Sequence, residues 1–437
     1  MPLWLIPMAY TVASVLTGMI LPRLEQAYFA AYTHGMSVGS ALAFFSAVSS
    51  GMMALTGIVF AIAFVVVQFS ALAYSPRLVI MFASNPTLYH NLGIFFATFA
   101  YSLVALIWTD RGGSGTVPLV STTLVIVLLI VSMLTFVRLI HSVNDLQIHN
   151  VLHTVGSRGR AVIRAMFPRI TDNADADAAS EARVPSAAGP VTQTLTYSGD
   201  PLVIARFDID ALVRLAQSVD GFVAIECGVG ETVVEDTVLL RVHGAAQKLP
   251  ERALMQTIHL ATSRTFEQDP KYAIRLLVDI AIRALSPAVN DPTTAVQALD
   301  QIEDLLRRLG RRHLDAGYAR DAAGTIRLTF PTPTWQDYLA LSFDEIRQFG
   351  VTSVQVVRRM RAALVGLSET IIVEQRRAEV RRYLDHLNLG VERSSFDEQD
   401  QAAALQEDRQ GLGLSRTRAA PKNASAETES LLRVSAQ

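Results

Sequence analysis

The sequence has one cysteine in 437 residues, Cys227, and a formal net charge of only -2. A single thiol excludes intrachain disulfides and any multi-cysteine metal site. It fits a reducing compartment for the segment that carries it, and it reads as a small buried hydrophobe. The near balance of charge, with no long basic stripe interleaved with aromatics, removes nucleic acid from the expected partners. Catalytic signatures are missing as well: there is no Walker-type loop, no Gly-x-Ser-x-Gly, no dinucleotide fingerprint behind a strand and no His-Glu-x-x-His. On these grounds neither an enzyme nor a cofactor is expected.

Charge of either sign is scarce. Only 18% of residues are charged and 50% are hydrophobic, with a mean hydropathy of +0.30, too apolar for one ordinary soluble domain of this length. Four apolar stretches account for the excess. Leu3 to Leu21 is about the ~20 residues a helix needs to cross a bilayer core, and Pro22-Arg23 reads as its stop. No cationic residue precedes it and no Ala-x-Ala site follows, so a retained first span is expected rather than a cleaved signal peptide. Ser37 to Tyr74 is longer than one membrane thickness and reads as a tilted or extended second span. Leu92 to Thr109 and Val117 to Ile140 are the third and fourth, separated by the turn-rich stretch from Asp110 to Gly115. Four spans put both termini on one side. Arg138 at the end of the fourth span and Arg158, Arg160, Arg164 and Arg169 after it assign that side to the cytoplasm, which makes this a multi-pass protein of the bacterial inner membrane.

Within the second stretch, Gly39, Ala43, Ala47 and Gly51 lie on one helical ridge with Ser46, Ser50 and Ala54 beside it, a pattern that lets helices approach closely. The sharper alternative is a polar pore lining of Ser46, Ser49, Ser50, Thr56 and Gln68 in a homo-oligomer. Past the fourth span, His141, Asp145, His149 and His153 recur every four residues, a candidate cation or metal row on a continuing helix. The plain reading of that row is a solvated juxtamembrane helix; in an oligomer it would ring an axis as a vestibule.

The expected fold is therefore membrane α-helical, with four transmembrane helices followed by a cytoplasmic α+β domain that has a small β unit and a mainly helical part. The boundaries read as 1–150 for the membrane part running into a juxtamembrane helix, 151–199 for a juxtamembrane segment and linker, 200–249 for the small α+β unit, 250–393 for the helical part and 394–437 for a disordered tail. Between Pro201 and Val242 the pattern gives a strand, a short helix and two strands around a turn at Gly228 to Glu231. Biotin and lipoyl carriers use such hairpins, but Gly221 to Arg241 has no lysine to bear either group. Downstream, Ile274, Leu277, Val278 and Ala281 form one buried helical stripe and Val296, Leu299, Ile302 and Leu306 the next. Lys271, Arg275, Asp279 and Arg283 repeat every four residues, so Asp279 can pair with an arginine one turn away. The corner between the two stripes holds Asn290, Asp291, Thr293 and Thr294, with Asp291-Pro292 set up as an N-cap and first helical position. It reads as a structural corner, the alternative being an anion site at a helix start whose capping carboxylate competes with the anion. Thr334 and Asp337 read as a capping box with Asp in place of the usual Glu.

Four segments together carry a resemblance: VVVQFSALAYSPRL from Val65, LGIFFATFAYSL from Leu92, ALSPAVNDPTTA from Ala284 and PTPTWQDYL from Pro331. In combination the chain resembles the bacterial membrane-protein family called domain of unknown function 2254, over nearly its whole length up to the tail. The resemblance implies an integral inner-membrane protein with an N-terminal helical membrane part and a cytoplasmic part, and brings no catalytic residues with it. Two readings follow. One is a homo-oligomeric channel or transport-type protein whose cytoplasmic domain assembles or gates the bundle, in contact with the lipid bilayer and with copies of itself. The other is a membrane-anchored scaffold or sensor whose cytoplasmic module binds a partner or a small ligand.

Overall fold

The structure, a computed structural model, describes residues 4–28, 36–73, 86–111, 117, 119–144, 147–170, 189–314 and 317–412. It divides into two compact units, Met1–Val151 and Leu152–Gln437.

Among the described residues the first unit holds the long helices α1 (Leu5–Tyr28), α2 (Val38–Ala73), α3 (Pro86–Arg111) and α4 (Leu119–Asn144). Each has a segment long and apolar enough to cross a membrane: Leu5–Glu25, Val38–Ile62, Leu88–Thr109 and Leu119–His141. At 1.5 Å per residue the 36 residues of α2 run to about 54 Å, well beyond a bilayer core of ~30 Å. The helix α3 packs against each of the other three. Its seam with α1 is made by glycines, since a Cβ on Gly18 would lie 2.9 Å from Val104 Cγ1 and one on Gly93 2.8 Å from Tyr10 Cδ2. Hydroxyls tie the same helices: Ser14 Oγ donates to Ala97 O at 2.6 Å, and the Thr98 and Ser132 hydroxyls lie 2.8 Å apart between α3 and α4.

Pro22 does not stop the first helix, which continues to Tyr28. Membrane helices tolerate proline where neighbouring groups re-satisfy the backbone. The continuation also carries Glu25, 4% exposed, to the start of α4. There its carboxylate accepts from Val120 N at 2.6 Å, Ser121 N at 3.1 Å and Ser121 Oγ at 3.1 Å, an N-cap supplied by another helix.

The second unit takes in most of α5 (Ile148–Met166), then β1 (Val191–Thr196), β2 (Leu202–Phe207), α6 (Ile209–Ser218), β3 (Phe222–Ile225), β4 (Thr232–Val233) and β5 (Val238–His243). There follow α7 (Glu251–Gln256), β6 (Ile258–Ala261), α8 (Pro270–Ala284), α9 (Pro292–Leu309), β7 (Tyr318–Arg320) and β8 (Ile326–Thr329). It ends with α10 (Trp335–Gly350), α11 (Val354–Thr370), α12 (Glu374–Glu392) and α13 (Glu398–Ala404). One sheet has the order β1-β5-β3-β8-β7, antiparallel except where β3 and β8 run parallel, and a second has the order β4-β2-β6. The small α+β unit expected at 200–249 is thus not closed. The stretch 191–196, expected as linker, supplies its edge strand, and β6 and β7 come from the part expected to be mainly helical, in which the alternating pattern of Thr325 to Phe330 predicts a strand where β8 stands. Likewise 394–412 is ordered, with α13 packed on α11.

Polar residues punctuate the helices where local chemistry demands it. Asp208, Asp269, Asp291, Ser353 and Asp397 each cap a helix start through a side-chain oxygen. Thr334 and Asp337 form a complete capping box. Ala273, Ile274, Leu276, Leu277, Val278 and Ile280 of α8 are all at most 1% exposed, so this helix is buried on more than the single stripe its pattern suggests. Arg359 on α11 reaches Asp300 at 2.6 Å and Glu303 at 2.5 Å on α9. Arg275 holds Glu345 on α10 and its own neighbour Asp279.

Candidate functional site

A cavity of about 620 Å³ opens in the second unit, inside the ~300–1,000 Å³ range of small-molecule sites. Its walls come from five separated segments: the C-terminal half of α5 with Phe167, the end of β2 with the start of α6, Val229 between β3 and β4, the loop before α8, and the stretch after β8 leading to Tyr338. Each is fixed by its own local chemistry. Gln268, at φ 50°, turns its side-chain amide onto β2, accepting from Phe207 N and donating to Phe207 O, both at 3.0 Å. Phe266 packs edge-on against Tyr272 at 5.0 Å and carries the Arg158 guanidinium over its ring at 5.2 Å. After β8, Pro331-Thr332-Pro333 lines the cavity and leads into the capping box.

Most of the lining is apolar, with Met166, Phe207, Phe266 and Phe330 prominent. Two deeply buried polar groups interrupt it. Asp269, 1% exposed, gives Oδ1 to Tyr272 N at 3.3 Å as the cap of α8, while its Oδ2 has no hydrogen-bond partner. Tyr338, 0% exposed, has a hydroxyl with no hydrogen-bond partner. Burial pushes the Asp269 carboxyl above the usual carboxylate range, opposed by the charges of Lys271 and Arg264. Burial, then the nearby charge of Asp269, pushes the Tyr338 phenol up. Gly230, beside Asp269 but not in the lining, sits at φ 86°, and a Cβ there would meet Asp269 Oδ2 at 2.5 Å. Arg264 is anchored beside it by donating from Nε to Gly230 O at 2.8 Å. Among the described residues no serine, cysteine or histidine lines the cavity.

The residues singled out in the sequence lie elsewhere. On α2, Ser46 and Ser50 are exposed, whereas Ser49 and Thr56 are buried, Thr56 Oγ1 donating to Met52 O at 2.7 Å. Gln68 lies in α2, but its side chain is outside the described residues. Of the four described side chains, exposed Ser46 and Ser50 therefore do not share a face with buried Ser49 and Thr56. Gly39, Ala43, Ala47 and Gly51 are exposed, and a Cβ on Gly39 or Gly51 would meet nothing within 4 Å. The histidine row is divided between helices: His141 is exposed near the end of α4, His149 and His153 are exposed on α5, and Asp145 is outside the described residues. Among the described residues no three His, Cys, Asp or Glu side chains are grouped to hold a metal ion. At the corner before α9, Asp291 accepts from Thr294 N at 3.1 Å through Oδ1 and from Thr294 Oγ1 at 2.6 Å through Oδ2, so both oxygens are engaged. Asn290 takes the left-handed turn at φ 49°, and Thr293 points to solvent. Cys227 is 8% exposed and donates to Val238 O at 3.2 Å, with burial and the nearby Glu231 and Glu226 raising its thiol pKa.

The residues that sequence reasoning passed over are Asp269 and Tyr338, although a signal existed. Asp269-Pro270 and Asp291-Pro292 are the same cap-and-proline start. The hydroxyl three residues on, Thr294, occupies the second oxygen of Asp291, and in its place Asp269 has Tyr272.

Comparison with known proteins gives one family and several relatives. The family model described as "Predicted membrane protein (DUF2254)" matches residues 1–365. "Uncharacterized protein Rv1290c" of Mycobacterium tuberculosis is 27% identical over 368 residues, covering 82% of this chain and 69% of its own. "Uncharacterized protein Mb1321c" of Mycobacterium bovis matches to the same extent, 27% over 368 residues. No solved structure matches the chain significantly.

Proposed function

The chain belongs to the DUF2254 family of predicted membrane proteins, and from that premise we propose that it is a membrane-anchored receptor whose second unit binds a small, mainly apolar molecule. The supporting observation is the cavity, with its apolar walls and two buried, unpartnered polar atoms. In this reading the four spans tether the unit to the bacterial inner membrane with both termini in the cytoplasm, as the arginines behind the fourth span suggest. The test uses the full chain in lipid nanodiscs and a panel of apolar fragments, with unfolding of the second unit followed by the reaction of its buried thiol, Cys227, with a thiol reagent. A ligand at 100 times its Kd stabilises the wild type by roughly 2.7 kcal/mol. Ala165→Trp, which fills the cavity from an exposed position on α5, removes the gain. Equal stabilisation of both proteins, or of neither, overturns the receptor reading.

A second reading, a homo-oligomeric channel, is favoured by one observation: the small residues of α2 with Ser46 and Ser50 face outward, free to meet a second copy. Single-channel recording of the wild type beside Ser50→Leu in planar bilayers decides it, since discrete currents changed by the substitution are required.

A further inference from the structure

The cavity is energetically incomplete. A buried donor or acceptor without a partner destabilises the fold, and two of the residues lining this one space carry such an atom: Asp269 with Oδ2, an acceptor, and Tyr338 with its hydroxyl, which can donate. Head groups differ in how they meet that pair. A hydroxyl has one donor and two lone pairs and satisfies both atoms at once. An ammonium has only donors, and Lys271 and Arg264 flank Asp269 with charge of the same sign as its own. A carboxylate has no donor for Asp269 and shares its charge. A plain hydrocarbon leaves both atoms unsatisfied.

We propose that the occupant is a neutral amphiphile, an apolar body bearing one hydroxyl, which donates to Asp269 Oδ2 and accepts from the Tyr338 hydroxyl. The body lies against Phe207, Phe266, Phe330 and Met166. The proposal rests on the receptor reading above and narrows it to a ligand class.

The experiment is photolabelling of the full chain in nanodiscs with four diazirine-bearing probes of equal chain length: 1-dodecanol, dodecylamine, dodecanoate and dodecane. Labelled peptides are mapped by mass spectrometry, with Ala165→Trp as background. The expected result is that the alcohol labels peptides from 161–167, 266–271 and 330–338 about tenfold above each of the others, the worth of ~1.4 kcal/mol. Tyr338→Phe, which removes only the unpartnered hydroxyl, should cut the alcohol's labelling to about a fifth, the worth of ~1 kcal/mol. Asp269→Asn, which puts a donor where the acceptor stood, should erase the preference for alcohol over alkane. Preference for the amine or the carboxylate overturns the head-group assignment while the receptor reading stands. Equal labelling by all four, unchanged by Tyr338→Phe, overturns it too. Labelling no stronger than in Ala165→Trp for every probe overturns the receptor reading itself.

Discussion

Gly230 and Gly324 form a matched pair for testing how tightly the cavity end is built. Both sit in the left-handed region, at φ 86° and φ 84°. An alanine at either position takes on about 1–2 kcal/mol of backbone strain, offset in part by the ~0.4–1 kcal/mol that a stiffer unfolded chain returns. They differ in what a methyl group meets. At Gly324 there is nothing within 4 Å, while at Gly230 the methyl lies 2.5 Å from Asp269 Oδ2 and 3.2 Å from Arg264 Cζ. Asp269 is a short side chain whose other oxygen caps α8, so it cannot swing aside without weakening a cap worth about 0.5–2 kcal/mol. Gly324→Ala should therefore cost about 1 kcal/mol and Gly230→Ala about 2–3 kcal/mol. Urea unfolding of the full chain in detergent micelles measures both, with Trp4 and Trp108 replaced by Phe so that Trp335 alone reports. If the two variants fall within ~0.5 kcal/mol of each other, the close approach at Gly230 carries no energy and the account of this cavity end is wrong.

The cap from α1 onto α4 should show in SDS titration followed by circular dichroism: Glu25→Ala is expected to lower the midpoint clearly, by roughly 1–3 kcal/mol, and Glu25→Gln, which keeps one acceptor, by less. The pH dependence of the urea midpoint should separate two aspartates of opposite sign. Asp269, raised by burial, binds its proton more tightly folded than unfolded, so it takes stability away as pH rises from about 4 through its folded pKa. Asp269→Asn should flatten that fall and raise stability at neutral pH. Asp321, held low by its hydrogen bond from Arg327 and by the Thr325 and Ala323 amides, contributes stability present above about pH 4 and lost below it, and Asp321→Asn should remove that loss.

What was legible in the sequence is what depends on neighbours along the chain. The apolar runs announced the four spans, because crossing a bilayer demands ~20 apolar residues in succession. Thr334 with Asp337, and Asp291 with Pro292, announced helix starts, because caps act within three residues. What stayed hidden joins distant positions. Glu25 reads as an ordinary charge at the end of a span until α4 is placed against it. Residues 191–196 look like linker because an edge strand with one buried face carries little apolar signal, and their partner β5 lies some forty residues on. The cavity is assembled from segments between Ala161 and Tyr338, none of which reads as a site alone. Asp269 was passed over because a capping aspartate is the commonest reason for Asp before Pro, and only the identity of residue 272 hints at the spare oxygen.

The parallel pairing of β3 with β8 also sets the order in which this protein can be completed. Val223 and Ala224 lie beside Leu328 and Thr329, with α7 to α9 and the four strands β4 to β7 inserted between them. During synthesis the centre of the five-stranded sheet stays open on one side until residue 329 has left the ribosome. Closing a loop of that length is a slow, non-local step. Until then β3 presents an unpaired edge of the kind that recruits stray strands. A chain truncated between β5 and β8 should accumulate in aggregates or be cleared by proteases, even though its spans and its β3–β5 pair are intact.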